Sequence, residues 1–284
     1  MVAIEVAKRL RARGEDPVAV SADAIAVYRG LETLSGAPTA EERAELEHRL
    51  VGIAEAPEEF SAGRFAELAR CEVDALMEQR RRPIVVGGTG LYMRAALAEI
   101  KLKPPVPTEV RAEVEREITE RGSAALHEAL DPDLAATVHP NDRKRVARMT
   151  ELERAGLDPP RDAGALWTTR LRHPSLLIGL TMDRQELVAR VARRVEEMAA
   201  GGAAEEARIA ANAGASRTAR AAIGFDEFQA GDLDTVRREH SAYARRQLTW
   251  MRKMPGIHLI DRTGASDDAV AAQVMTLLGE NGAE

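Results

Sequence analysis

The chain has 284 residues, 45% of them apolar, 30% charged and only 3% aromatic, with a formal net charge of −6. That composition is ordinary for a soluble globular chain, the net charge argues against a positive coat for generic nucleic-acid binding but leaves room for a local basic groove, and no apolar run reaches the roughly 20 residues of a membrane span. Cys71 is the one cysteine, which excludes an internal disulfide, and the six histidines show no metal-ligand spacing.

From the first residue, Val2, Val6 and Leu10 recur four apart with Ile4 and Ala7 beside them. This predicts a helix that runs from the start until Gly14 stops it. No Ser, Thr, Asp or Asn caps its beginning, so it reads as a helix already under way. Val18 and Val20 predict a short buried strand after Pro17, followed by a turn into irregular chain. Residues 40–50 and 60–80 carry a helical pattern, the latter with Phe65, Leu68 and Val73 on one face. Ile84 to Val86 read as a strand, Gly87 and Gly88 as a turn, and a helix begins at about Leu91. Short apolar strands alternating with helices predict a parallel sheet covered on both faces. Pro104, Pro105 and Pro107 break this rhythm. Residues 108–137 then read as charged helices, a helical insertion between core segments 1–107 and 138–284. Asn141 or Asp142 caps a further helix that Gly156 ends. "PSLLIGLTMD" is another buried strand. "DRQELVARVARRVEEMAAGG" is a long helix with Leu187, Val191, Val195 and Met198 on one face. "IHLID" at 257–261 is the last strand, and a weakly amphipathic helix and frayed tail close the chain.

Two strand ends draw the eye. Asp23 lies just past the carboxyl end of a parallel strand, where ligands bind in open α/β sheets. A carboxylate there can accept a proton from a nucleophile, or it can simply hold a turn. Thr89 follows Gly87 and Gly88 at a helix start, where amide groups favour an anion. It can equally be a plain helix cap. Basic runs stand at 79–83, 141–148 and 243–253, and each reads alone as a solvated face. Trp250 can stack on a base or pack between helix and sheet. Arg190 and Arg194 can share an anion or pair with Glu186 and Glu197. His48 and His139 read as structural or surface residues.

In this order, "SADAIAVYRGLE", "HRLVGI", "FSAGRFAELA", "PIVVGGTGLYMRAAL", "VHPNDRKRVARMTE", "LTMDRQELVARVARRVEEMAAGG", "RAAIGFDEF" and "RRQLTWMRKMPGIHLID" resemble the bacterial tRNA dimethylallyltransferases, the tRNA isopentenyltransferase family. The resemblance spans Met1 to about Asp261. It implies a P-loop kinase-like core, a parallel sheet flanked by helices, with a small helical insertion. It implies transfer of a dimethylallyl group from dimethylallyl diphosphate, with Mg²⁺, to N6 of the adenosine beside the anticodon, flipped into the protein. Asp23 matches the family carboxylate that holds N6 and helps remove its proton. Thr89 matches the threonine near the reacting centre, on the diphosphate or the tRNA. Asp23, Ala24, Ile25 and Ala26, then Arg111, then Lys144, Arg145, Val146, Ala147 and Arg148 match segments that contact tRNA. Ala24 and Ala26 stand where many members have Ser and Gln. Ala221 stands where an arginine is common. Arg220, one position earlier and about 100° around a helix, is taken as its stand-in on the diphosphate.

The resemblance also says what should stand before Met1: a strand and a Gly-x-x-x-x-Gly-Lys-Ser/Thr phosphate loop, about 15 to 20 residues in all. Met1 is read as an internal methionine of a longer frame. An incomplete gene, or a chain that truly lacks the loop, would give the same start. The expected protein is a cytoplasmic, nucleotide-binding monomer with no membrane attachment, its partners the anticodon stem-loop of tRNA and dimethylallyl diphosphate. A non-catalytic RNA-binding remnant and a P-loop small-molecule kinase are the alternatives.

Overall fold

The computed structural model describes residues 1–100, 106–158 and 167–281. Two compact units emerge, one formed by Met1–Glu99 with Trp167–Glu284, the other by Ile100–Leu166.

In the first unit, α1 (Val2–Ala12) buries Ile4, Val6, Ala7 and Leu10. It ends beside Gly14, whose φ of +82° suits glycine. The strand β1 (Pro17–Ser21) is buried throughout. The short helices α2 (Glu32–Ser35) and α3 (Ala40–Glu45) follow, α3 opened by a Thr39–Glu42 capping box. The helical pattern read across 40–50 fails after Glu45. Leu46 turns extended and joins Ile4, Ala7 and Ala19 in the core. His48–Arg49 then forms β2, parallel to β1. Tertiary pairing outweighs local periodicity there.

Ser61 caps α4 (Ala62–Glu78), accepting from the Arg64 amide at 3.1 Å. Phe65, Ala69, Val73 and Leu76 face inward, while Leu68, expected on that face, points outward. The step from 65 to 68 falls about 60° short of a full turn, whereas 65, 69, 73 and 76 form one stripe. The strand β3 (Arg82–Val86) pairs in parallel with β1, giving the order β2-β1-β3, and α5 (Gly90–Leu97) follows. Unlike β1, β3 is only half-buried at Ile84, Val85 and Val86.

The second unit carries α6 (Thr108–Glu128), kinked at Gly122, α7 (Pro132–Ala135) and α8 (Arg143–Arg154). Its core is Val114, Ile118, Leu126, Leu130, Val138, Val146 and Ala147. Because α8 packs on α6, this unit reaches beyond the 108–137 segment expected as the insertion. Of the three prolines that break the rhythm, Pro104 and Pro105 lie outside the described residues.

Back in the first unit, β4 (Leu177–Thr181) leads to α9 (Arg184–Ala200) and α10 (Ala203–Asn212). Then come α11 (Glu227–Ala230), α12 (Leu233–Lys253), β5 (Ile257–Asp261) and α13 (Asp267–Asn281). The strands β4 and β5 pair in parallel as a second, two-stranded sheet. The helices α1 and α13 pack together through Val6, Leu10, Ala271 and Met275. The tail beyond Asn281 lies outside the described residues. No described helix is long and apolar enough to cross a membrane.

Candidate active site

Parallel pairing of β1 with β3 sets Ser21 opposite Val86, and the Ala22 amide donates to the Val86 carbonyl at 2.7 Å. Both strands therefore end together. Asp23 and Thr89 follow them on neighbouring turns.

Asp23 Oδ1 accepts from the Ile25 and Ala26 amides at 2.8 and 3.0 Å. That is the turn-holding arrangement, but it occupies one oxygen only. Oδ2 has no hydrogen bond among the described residues. Ala24 and Ile25 are half-buried and Ala26 is buried.

A Cβ on Gly87 would overlap the Ala22 carbonyl, and one on Gly88 would overlap the Gln247 side-chain amide. Only glycine lets the two strand ends and α12 come this close. Thr89 takes the position of a helix cap, yet its hydroxyl caps nothing. It lies 3.2 Å from the Tyr243 hydroxyl instead. Gln247 Nε2 donates to the Gly88 carbonyl at 3.2 Å, and the Trp250 ring sits against Gly90. Trp250 also packs on Trp167, ring centres 5.0 Å apart, so packing is the role the structure gives it.

Tyr243, Gln247 and Trp250 lie four and three apart, on one face of α12. Of the three, only Trp250 stands out in the sequence. The Tyr-x-x-x-Gln-x-x-Trp spacing was the available signal, but nothing local says which turn that face meets.

Burial pushes the Tyr243 phenol up, the Thr89 contact pulls it back, and the Asp23 charge raises it again. Tyr92 is also raised, by burial first and by Tyr28 and Asp23 after it. Asp23 therefore acts electrostatically on the phenol that touches Thr89.

Buried Tyr28 ties this turn to a distant segment. Its hydroxyl donates to the Glu58 carbonyl at 3.1 Å and meets the Thr218 hydroxyl. Thr218 Oγ1 in turn accepts from the Phe60 amide at 3.2 Å. Two residues on, Arg220 Nε donates to the Ala215 carbonyl at 3.2 Å, and its guanidinium lies 5.3 Å from the Phe225 ring centre. Arg220 and Arg246 line a cavity of about 460 Å³, with Asp226, Glu227 and Glu239 also on its wall. Arg246 also stacks over the Tyr243 ring at 5.5 Å, so this one side chain borders both the cavity and the tyrosine that meets Thr89.

The remaining candidates sit in the second unit. Glu151, nearly buried, draws Arg148 to 3.0 Å and Arg111 to 3.8 Å. Lys144 and Arg145 are exposed, whereas Val146 and Ala147 face the core. Surface contact through this segment therefore falls to Lys144, Arg145 and Arg148. A helix cannot present five consecutive residues to one ligand.

Arg194 donates to the Ser35 carbonyl at 3.3 Å, and Arg193 lies 3.7 Å from Glu197. No group of three or more His, Cys, Asp or Glu able to hold a metal gathers among the described residues. Mg²⁺ commonly rests on one or two carboxylates plus substrate phosphates. The described residues do not build a protein cage for it.

The family model described as IPP transferase matches residues 26–254. The chain is 41% identical to a tRNA dimethylallyltransferase of Anaeromyxobacter dehalogenans strain 2CP-C over 268 residues, 90% of this chain and 89% of that one. Its structure is similar to the crystal structure of the tRNA isopentenylpyrophosphate transferase of Bacillus halodurans, with TM-score 0.70, 30% identity, and coverage of 99% and 91%. It shares its fold with a eukaryotic dimethylallyltransferase at TM-score 0.75 and 20% identity, covering 96% of this chain and 74% of that one. With a family model matched over most of its length and relatives this similar along nearly all of it, the chain belongs to the IPP transferase family.

Proposed function

We propose that this chain transfers a dimethylallyl group from dimethylallyl diphosphate to N6 of the adenosine beside the anticodon of tRNA, as a cytoplasmic monomer. The observation that carries the reading is that Asp23 and Thr89 follow the carboxyl ends of two paired strands on neighbouring turns, with the Thr89 hydroxyl 3.2 Å from that of Tyr243. Relatives that bear the name tRNA dimethylallyltransferase support it.

The chemistry has two demands. As the allylic C–O bond breaks, its electron pair goes to the departing diphosphate. As N6 forms the new C–N bond, it must give up one proton. Asp23 suits the second demand: backbone amides pin Oδ1 and leave Oδ2 open to an amine. Thr89 suits the first, because its hydroxyl is not engaged in capping and can face an oxyanion. Arg246, at the Tyr243 ring, can bring positive charge to the same group, and Arg220 can join it by leaving Asp226, 4.0 Å away on the cavity wall. The adenosine must leave its stack to reach Asp23. Ala24, Ile25 and Ala26 flank that carboxylate, and Arg111, Lys144, Arg145 and Arg148 offer cations to RNA phosphates.

The test is incubation of the full gene product with labelled dimethylallyl diphosphate and an anticodon stem-loop RNA. Label is expected in the RNA, and Asp23→Ala is expected to slow transfer by a factor on the order of 10² or more. A rate within a few-fold of the parent removes Asp23 as proton acceptor. A parent that leaves the RNA unlabelled overturns the reading.

A further inference from the structure

We propose that Tyr243 is a positioning residue of this transfer, holding the Thr89 hydroxyl so that its proton points at the diphosphate. The inference rests on the function proposed above and adds two residues to it, Tyr243 and Gln247.

The direction follows from who can donate. A carbonyl can only accept, so the Gln247 atom 3.2 Å from the Gly88 carbonyl is the amide nitrogen. That bond ties α12 to the Gly88 turn, and the same amide lies beside the Tyr243 phenol. The Thr89 and Tyr243 hydroxyls lie 3.2 Å apart, and either oxygen can donate to the other. A diphosphate oxygen can only accept, so with it in place the Thr89 proton goes to it. The Thr89 oxygen then accepts the Tyr243 proton. Thr89 makes no cap bond that competes for its own proton.

With the diphosphate in place the donors run one way: Tyr243 to Thr89, Thr89 to the diphosphate oxygen. Hydrogen bonds in series polarise one another in the same sense. The chain ends in a donor suited to an oxyanion whose charge grows as the C–O bond breaks. The surroundings keep it in place. Arg246 lies over the Tyr243 ring, Trp250 rests on Gly90, and Gly88 has no Cβ to push the Gln247 amide away.

The experiment uses the full gene product, a stem-loop RNA and dimethylallyl diphosphate. Tyr243→Phe keeps the ring and removes the hydroxyl. It is expected to lower kcat about tenfold, the loss of roughly one hydrogen bond, with KM for RNA within about twofold. Placed on a Thr89→Val background, it is expected to cost less than about twofold, because Tyr243 acts through Thr89. A Tyr243→Phe variant within about twofold of the parent overturns the proposal, and so does an undiminished tenfold loss on the Thr89→Val background. A second measurement does not depend on turnover. The chain has three tyrosines, so 13Cζ-labelled tyrosine gives three resonances that Tyr243→Phe assigns. Thr89→Val is expected to move the Tyr243 signal and leave Tyr28 in place. An unmoved Tyr243 signal overturns the relay even if transfer is normal. A parent that transfers nothing instead overturns the proposed function, and Tyr243's part in it.

Discussion

At Asp23 a turn and a reaction draw on one side chain. Oδ1 holds the Ile25 and Ala26 amides, which fixes the carboxylate's direction, and Oδ2 is left for chemistry. The adjacent glycines divide in a similar way. Gly87 faces backbone, since a Cβ would overlap the Ala22 carbonyl, whereas Gly88 faces the end of the Gln247 side chain. Gly87→Ala is therefore expected to destabilise the protein by about 1–3 kcal/mol, because backbone must shift. Gly88→Ala should change stability less, because a side-chain tip can move. It should still slow transfer by roughly tenfold, since the moved amide and the new Cβ, 3.3 Å from the Tyr243 hydroxyl, both disturb that hydroxyl. Denaturant midpoints and kcat for the two variants check this. Equal stability loss with equal activity would show that the amide does not matter.

At the scale of elements, α12 and α8 carry the two halves of the proposed function. The helix α12 sets Tyr243, Gln247 and Trp250 along one face by helical repeat alone. The helix α8 starts at Asp142, whose side chain accepts from the Arg145 amide at 3.2 Å. Asp142→Ala is expected to cost about 1 kcal/mol by removing this cap. It should also weaken stem-loop RNA binding, because Lys144 and Arg145 sit in the first turn that frays. Fluorescence anisotropy with labelled RNA and thermal unfolding read the two effects, and RNA binding as tight as the parent's would remove the first turn from the interface. The cap and the stop at Gly156 were legible from "HPND" and "ERAG", because capping is local. The inward turn of Val146 and Ala147 was not, because it depends on α6. His48–Arg49 is the same kind of case: its neighbours read as helix, and only β1 lying alongside makes it a strand.

At the scale of the whole molecule, burial acts on groups that carry no chemistry. His240 on α12 is pushed down to about 4 by burial, with the Arg194 charge adding to it. The folded state thus holds this imidazole neutral, while the unfolded chain protonates it near pH 6.5. The unfolded state binds more protons in that window, so the protein loses stability as pH falls from about 6.5 toward 4. The loss is on the order of 2 kcal/mol. Urea midpoints across pH 4–7 should show it, and His240→Gln should remove most of it. His48, also lowered by burial, accounts for a further part that the variant keeps. A parent and His240→Gln with the same pH slope would contradict the burial of His240.

The sequence by itself determined what depends on near neighbours. Helical stripes, the caps at Ser61 and Asp142, the glycine stops and the short apolar strands all follow from contacts within a few residues. The order of motifs also carried the family. Tertiary structure alone decided what joins distant parts of the chain. It placed α12 on the Gly87–Gly90 turn, with Gln247 bonded to a residue 159 positions away. It joined Tyr28 to Thr218 across 190 positions, and it turned Val146 and Ala147 inward. No local pattern encodes such pairings, because a side chain's partner is set by which surfaces must be buried together, and that is a property of the whole packed chain.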